Sequence, residues 1–263
     1  MRYYMELFKR RLQQSLAYRF NWAFGFASGF LMIFIKVSIW RALYAGKTQV
    51  AGADLSDMIT YVLLADIVGT VTSAYFIGSV SGGIRSGGIG MQLIRPVRFE
   101  VAEVAENIAG TLSSLIFRLI PVITISALVF GMQALASPQH VLAFVGLLFG
   151  SVVMNYYLQF ILGATCFWFT SPAYGITIDN LFSVIFAGTF IPLWFFPRFI
   201  QTVATYLPYH YLTYIPNAVY LGKVPITDIP RLFLVQWGWI AGVVVLKRII
   251  WAQGMKKIVI QGG

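Results

Sequence analysis

The sequence predicts an all-α integral membrane protein with six transmembrane helices, and three observations predict it. Hydrophobic residues make up 59% of the 263 positions and charged residues 11%, for a mean hydropathy of +0.77. A soluble domain of this length cannot bury that much apolar surface. The apolar residues fall into runs that meet the ~20 residues a helix needs to cross a bilayer. Those runs are apolar all round, without the period-two alternation of a membrane β-barrel.

The elements follow in order. Residues 2–19, "RYYMELFKRRLQQSLAYR", place Met5, Phe8, Leu12 and Leu16 on one stripe and Glu6, Lys9, Arg10, Gln13 and Gln14 elsewhere. Such a helix (1–19) rests in the membrane interface with its basic face among headgroups. Spans are expected at about 20–44, 58–80, 104–131, 139–169, 176–193 and 231–252, the fifth slightly short. "AGKTQVAGADLSD" reads as a polar loop and "TSPAYG" as a tight turn. The segment 192–228 holds five of the ten prolines, among them Pro192, Pro197, Pro208 and Pro216. It is too apolar for a solvated loop and too broken for a straight span. Short re-entrant helices packed on protein are expected there, because lipid does not tolerate exposed irregular backbone. The whole chain, 1–263, reads as a single transmembrane domain.

Lysine and arginine set the orientation. With the N-terminus inside, the cytoplasmic segments carry Arg2, Lys9, Arg10, Arg11, Arg19, Arg85, Arg95, Arg98, Lys247, Arg248, Lys256 and Lys257. The outer segments carry Arg41, Lys47, Arg198, Lys223 and Arg231. This bias places both termini in the cytoplasm. The formal charge of +10 is then topological punctuation rather than a nucleic-acid footprint. The start does not read as a cleavable signal peptide, since its apolar run exceeds the usual ~7–15 residues. The one cysteine, Cys166, allows no intrachain disulfide.

Three ionisable residues fall inside expected spans: Lys36, Asp66 and Arg118. Each needs a partner or water in the membrane. Lys36 and Asp66 sit at equal depth, ~12 Å below the outer surface at ~1.5 Å per residue. They either form an ion pair or line a polar path. Arg118, near mid-membrane with Pro121 close by, faces either a subunit interface or a polar cavity. Asp179 is expected near a solvated end of the fifth span. His140 and His210 share no metal-ligand spacing, and no Ser–His–Asp set or carboxylate pair appears. No catalytic, cofactor-binding or metal site is expected in this chain.

The stretch "SGGIRSGGIGMQLIRPVRFE" (81–100) is glycine-rich and basic, yet lies between two apolar runs. It lacks the G-x-x-x-x-G-K-[ST] pattern of a phosphate-binding loop. Flexible glycines followed by "IGMQLI" and a stopping Pro96 instead describe a small helix projecting at the cytosol.

Together with "YRFNW", "WRALYAG", "DMITYVLL", "IPLWFFP", "LPYHYLTYIPNAVYLG" and the closing Gly262-Gly263, this stretch resembles the permease subunits of ABC-2-type transporters. Within the type V exporter architecture it is similar to a branch of small six-span permeases. The resemblance spans essentially the whole chain. It implies that 81–100 is a cytoplasmic coupling helix fitting a cleft on a separate ATPase. Arg85, Gly87, Gly88, Leu93, Ile94, Arg95, Pro96 and Arg98 would carry that contact. It further implies two ABC ATPase chains holding ATP and Mg, a second permease chain, identical or unlike, and an outer gate at 192–228. The expected setting is the bacterial cytoplasmic (inner) membrane, with membrane lipids and no nucleic acid as partners. The cargo would be an amphipathic drug, peptide or lipid. An integral membrane lipid-modifying enzyme and an ion-coupled carrier are the alternatives.

Overall fold

The computed structural model describes residues 19–73, 76–87, 99–133, 137–169 and 171–257, together with Glu6 and Gln13. Most of the expected interfacial helix lies outside the described residues, as do Gly88, Leu93, Ile94, Arg95, Pro96 and Arg98.

Helix α1 (Arg19–Leu43) leads into a two-stranded hairpin, β1 (Gln49–Val50) and β2 (Ala53–Asp54), where the sequence suggested only a polar loop. The strands turn on Ala51 and Gly52, at φ 52 and 74, the paired positive φ of a tight hairpin. The Tyr44 hydroxyl donates to the Ala53 carbonyl at 2.9 Å and holds the hairpin on the end of α1. Helix α2 (Leu55–Thr72) starts where the Asp57 carboxylate accepts the Asp54 backbone N–H at 3.2 Å.

Helix α3 (Phe76–Arg85) continues the second span, which runs over Leu55–Arg85 rather than 58–80. Ser81 to Arg85, expected in a glycine-hinged loop, are therefore helical. Gly87, at φ 67, ends that helix in the left-handed conformation that favours glycine. Helix α4 (Phe99–Ser114) passes through a π-helical turn, Leu115–Leu119, into α5 (Ile120–Phe130). Glu103 and Glu106 lie within α4. The Ile120 N–H bonds to the Leu115 carbonyl, one residue beyond the α-helical partner, and widens the turn just before Pro121.

Helix α6 (Pro138–Ala164) begins with Ser137 as N-cap and proline at the first helical position, a favoured start. Helix α7 (Ala173–Phe186) has 14 residues, about 21 Å of rise. It starts earlier and ends sooner than the expected stretch 176–193: the chain turns at Gly188, φ 67, and Pro192 follows. Among the described residues five helical stretches are long and apolar enough to cross a membrane, Ala23–Leu43, Leu55–Arg85, Glu103–Phe130, Pro138–Phe167 and Ile226–Met255.

The segment after α7 is a chain of short pieces. A 3-10 turn at Leu193–Phe195 and α8 (Arg198–Thr205) follow Pro192 and Pro197, each an extended residue at a helix start. A second 3-10 turn opens on Pro208, and α9 (Tyr214–Tyr220) carries Pro216 in its first turn, where a missing N–H costs nothing. Helix α10 (Ile229–Met255) is the last long helix.

Helix α6 is the hub, packed on α10, α3 and α9, while α1 packs on α2 and α5. Small residues permit the close approach of α10: a side chain at Gly146 would stand 2.8 Å from Phe233. The helix ends sort into two faces. At one, the Lys223 ammonium meets Asp57 at 2.6 Å and donates to the Gly52 carbonyl at 3.2 Å. His140 Nε2 lies 3.3 Å from the Val224 carbonyl at that same hairpin end. At the other, Gly254 lies against Phe167, and the Lys257 ammonium stands 5.3 Å from the Trp168 ring.

Candidate charge site between the helices

Arg118 stands in the π-helical turn, so the widened backbone carries the charge into the seam between α1 and α2. Its side chain lies along Gly25 and Gly29 of α1. A Cβ at Gly29 would meet the Arg118 Nε at 3.3 Å, and one at Gly25 would meet Cδ at 3.7 Å. The two glycines form one small-residue step, Gly-x-x-x-Gly, and leave a groove a long side chain can occupy. Across that groove Arg118 Nη2 reaches Asp66 Oδ1 at 3.7 Å. The second carboxylate oxygen, Oδ2, is buried and accepts no hydrogen bond among the described residues.

This arrangement corrects the expected Lys36–Asp66 pair. The two are not within ion-pair distance; Arg118 takes the carboxylate. Lys36 instead places its ammonium 4.5 Å from the centroid of Phe190, in the turn after α7. Asp66 still acts on Lys36 electrostatically, but from beyond contact distance. Equal depth put Lys36 and Asp66 on one level but said nothing about direction around the helix axis.

A second polar set was not anticipated. Ser151, Asn155 and Gln159 fall four residues apart on α6, a spacing visible in "SVVMNYYLQ". The Ser151 hydroxyl donates to the Tyr211 carbonyl at 2.7 Å, and the Gln236 amide donates to the Leu147 carbonyl at 3.0 Å. The Asn155 amide donates to the Thr72 carbonyl at 2.7 Å. Thr72 ends α2, so Asn155 satisfies a carbonyl the helix end would otherwise leave unpaired. Gln159 faces Asp179 at 3.4 Å, and the Tyr209 side chain lies beside that carboxylate. Asp179 thus sits halfway along α7 against the proline-rich segment, not at a solvated end.

Near the hairpin end, His210 is buried on the Tyr211 ring. Its Nδ1 N–H donates to the Leu207 carbonyl at 2.6 Å. Burial pushes its pKa down to about 4, against the opposing pull of the Leu207 and Ala204 carbonyls. The ring is therefore neutral at physiological pH.

Of the sequence-predicted residues, Arg118 and Asp66 come together, while Lys36 lies against Phe190 instead. Arg85 and Gly87 sit at the end of α3, exposed. Pro192 and Pro197 border the first short helical pieces, while Pro208 and Pro216 are buried within the later ones. Among the described residues no group of three His, Cys, Asp or Glu side chains could hold a metal ion.

A family model described as ABC-2 family transporter protein matches residues 30–262. No curated protein and no solved structure matches the chain.

Proposed function

The chain belongs to the ABC-2 transporter family, and we propose that it is the membrane-spanning permease subunit of an ATP-driven exporter. The observation that carries this reading is the family match across residues 30–262, over a chain whose described residues include five span-length apolar helical stretches. A multi-pass membrane protein of this family is the transporter's membrane component and is not itself catalytic. ATP and Mg are held by two partner ABC ATPase chains. A second permease chain, identical or related, completes the path for an amphipathic drug, peptide or lipid.

In this reading the hairpin end faces outward and the Arg85 end faces the cytoplasm of a bacterial inner-membrane protein. The charge bias of the sequence supports that direction. The connection between α3 and α4 then projects at the ATPase. Arg85, Gly87, Gly88, Leu93, Ile94, Arg95, Pro96 and Arg98 belong to it, with Leu93 and Ile94 as the apolar seat. The short helices bordered by Pro192, Pro197, Pro208 and Pro216 close the outer side. Tyr209 reaching Asp179 halfway along α7 supports that re-entrant depth.

The test is purification of the native complex with wild-type, Leu93→Asp and Ile94→Asp chains. A charge in an apolar socket costs several kcal/mol when unpaired, roughly 2–7 for a polar group. The expected result is an ABC ATPase that co-purifies with the wild type and is lost or uncoupled in both variants, with membrane insertion normal. Wild-type ATPase recovery and cargo-stimulated hydrolysis in both variants would overturn the coupling assignment. Absence of any ATPase from the wild-type complex would overturn the exporter reading.

A further inference from the structure

The start of α10 and the proline-rich segment enclose a cavity of about 370 Å³ that the transport reading does not use. Its wall combines Arg231 and Asp228 with the rings of Tyr211 and Tyr214 and the apolar side chains of Leu232 and Val235. Arg231 and Asp228 are three residues apart on the first turn, the spacing of neighbours on a helix surface. Yet they do not pair: neither lies in an ion pair among the described residues. Arg231 makes no hydrogen bond among the described residues either, although its charge acts on the Tyr211 hydroxyl. The Asp228 side chain makes no capping bond to its helix, and among the described residues only the Thr227 hydroxyl donates to its carboxylate, weakly, at 3.5 Å. A cation and an anion, both uncommitted, therefore face one pocket side by side.

The position of this pocket along the membrane matters as much as its charges. The span begins at Ile226, so Arg231 lies about five residues in, ~7–8 Å along the helix. That is the headgroup level, where arginine meets phosphate. Leu232 and Val235 line the pocket, and exposed Leu234 and Trp237 carry the same helix down towards hydrocarbon. An occupant with polar ends above and an apolar chain below matches this order of side chains.

We propose that this cavity is a binding site for a zwitterionic phospholipid whose headgroup carries a phosphate and a primary ammonium. Arg231 takes the phosphate, with the Tyr211 hydroxyl as a further donor. Asp228 takes the ammonium, which the two-carbon linker of an ethanolamine headgroup places beside the phosphate. An acyl chain follows Leu232 and Val235. An anionic headgroup would leave Asp228 facing negative charge. A quaternary choline offers Asp228 no N–H to accept. The site concerns a resident lipid and stands whatever the cargo is.

The experiment reconstitutes the intact chain in its native complex into nanodiscs of equal parts phosphatidylethanolamine, phosphatidylcholine and phosphatidylglycerol. Lipids retained after detergent dilution are then counted by native mass spectrometry. The wild type is expected to retain phosphatidylethanolamine over the other two. Arg231→Gln should lower that retention about tenfold, the loss of one charge-assisted contact. Asp228→Asn should keep a phospholipid but lose the preference for ethanolamine over choline. Both side chains are exposed, so melting temperatures should stay at the wild-type value and report an intact fold. Retention that follows bulk composition in the wild type, or unchanged retention in both variants, overturns the site. Saturable binding of free O-phosphoethanolamine without any retained phospholipid overturns the lipid assignment in favour of a soluble ligand.

Discussion

Arg118 reaches Asp66 at 3.7 Å across a groove that Gly25 and Gly29 leave open, while Lys36 turns away to the Phe190 ring. One carboxylate is thus committed to the farther cation in sequence. Removing Asp66 strands a guanidinium in the membrane; removing Lys36 strands nothing at contact distance. Asp66→Asn and Arg118→Gln should each destabilise by about 1–3 kcal/mol, below the ~3–5 of a fully buried pair because the Arg118 side chain is 34% exposed. Their double mutant should recover ~1 kcal/mol or more in a cycle read by thermal unfolding in detergent. The Lys36→Met and Asp66→Asn pair should couple by less than ~0.5 kcal/mol. Stronger coupling through Lys36 than through Arg118 would reverse the assignment.

The glycines make a sharper test, because they act through space rather than charge. A methyl at Gly25 meets Arg118 at an ordinary 3.7 Å, so Gly25→Ala should shift stability by less than ~0.5 kcal/mol. At Gly29 the contacts tighten to 3.3 Å with Arg118 and 3.4 Å with Val122. Gly29→Leu must push both aside and should cost about 1–3 kcal/mol, the range for overpacking. If Gly29→Leu also abolishes the Asp66–Arg118 coupling energy, groove and ion pair are one device. Coupling that survives Gly29→Leu would separate them.

These two relationships show what could be read from the chain and what could not. The long helices were legible because a span is a one-dimensional property, a length of apolar sequence. The three intramembrane charges were legible because ionised groups in lipid need partners. Pairing was not, since it depends on direction around each helix axis, and Arg118 owes its direction to a π-helical turn. The fifth apolar helix is shorter than its apolar run for a local reason: it ends at Phe186, where the left-handed backbone at Gly188 follows, with Pro192 beyond. The α6 ladder of Ser151, Asn155 and Gln159 was present as a four-residue spacing. Its purpose appears only once Asn155 meets the open carbonyl at Thr72.

That bond carries its own prediction. Asn155→Leu keeps the volume roughly constant but leaves the Thr72 carbonyl buried without a donor. A buried polar group left unsatisfied costs about 1–3 kcal/mol. The break between α2 and α3 should then open first. Hydrogen exchange at residues 70–73 should rise in Asn155→Leu while exchange in α10 holds. Uniform loss of protection along the chain would mean that Asn155 supports packing in general rather than the helix break.

His210 ties stability to pH, and the direction follows from its burial. The folded pKa is lowered to about 4, against 6.5 for the free side chain. The neutral ring is stabilised in the fold, so its contribution is fully present above pH ~6.5. As pH falls below 6.5 the unfolded state takes up a proton that the buried ring refuses, and stability drops. The loss continues to about pH 4, at up to ~1.4 kcal/mol per unit, or roughly 3 kcal/mol in total. Asp228 and Arg231 line the neighbouring cavity, so the wild-type profile alone cannot assign the slope to His210. His210→Gln keeps a donor for the Leu207 carbonyl but does not titrate. Its melting temperature should fall less than the wild type's between pH 6.5 and pH 4.5, with the two curves closest at the acid end. Parallel curves across that window would show that the histidine is not the group that senses acid in this segment.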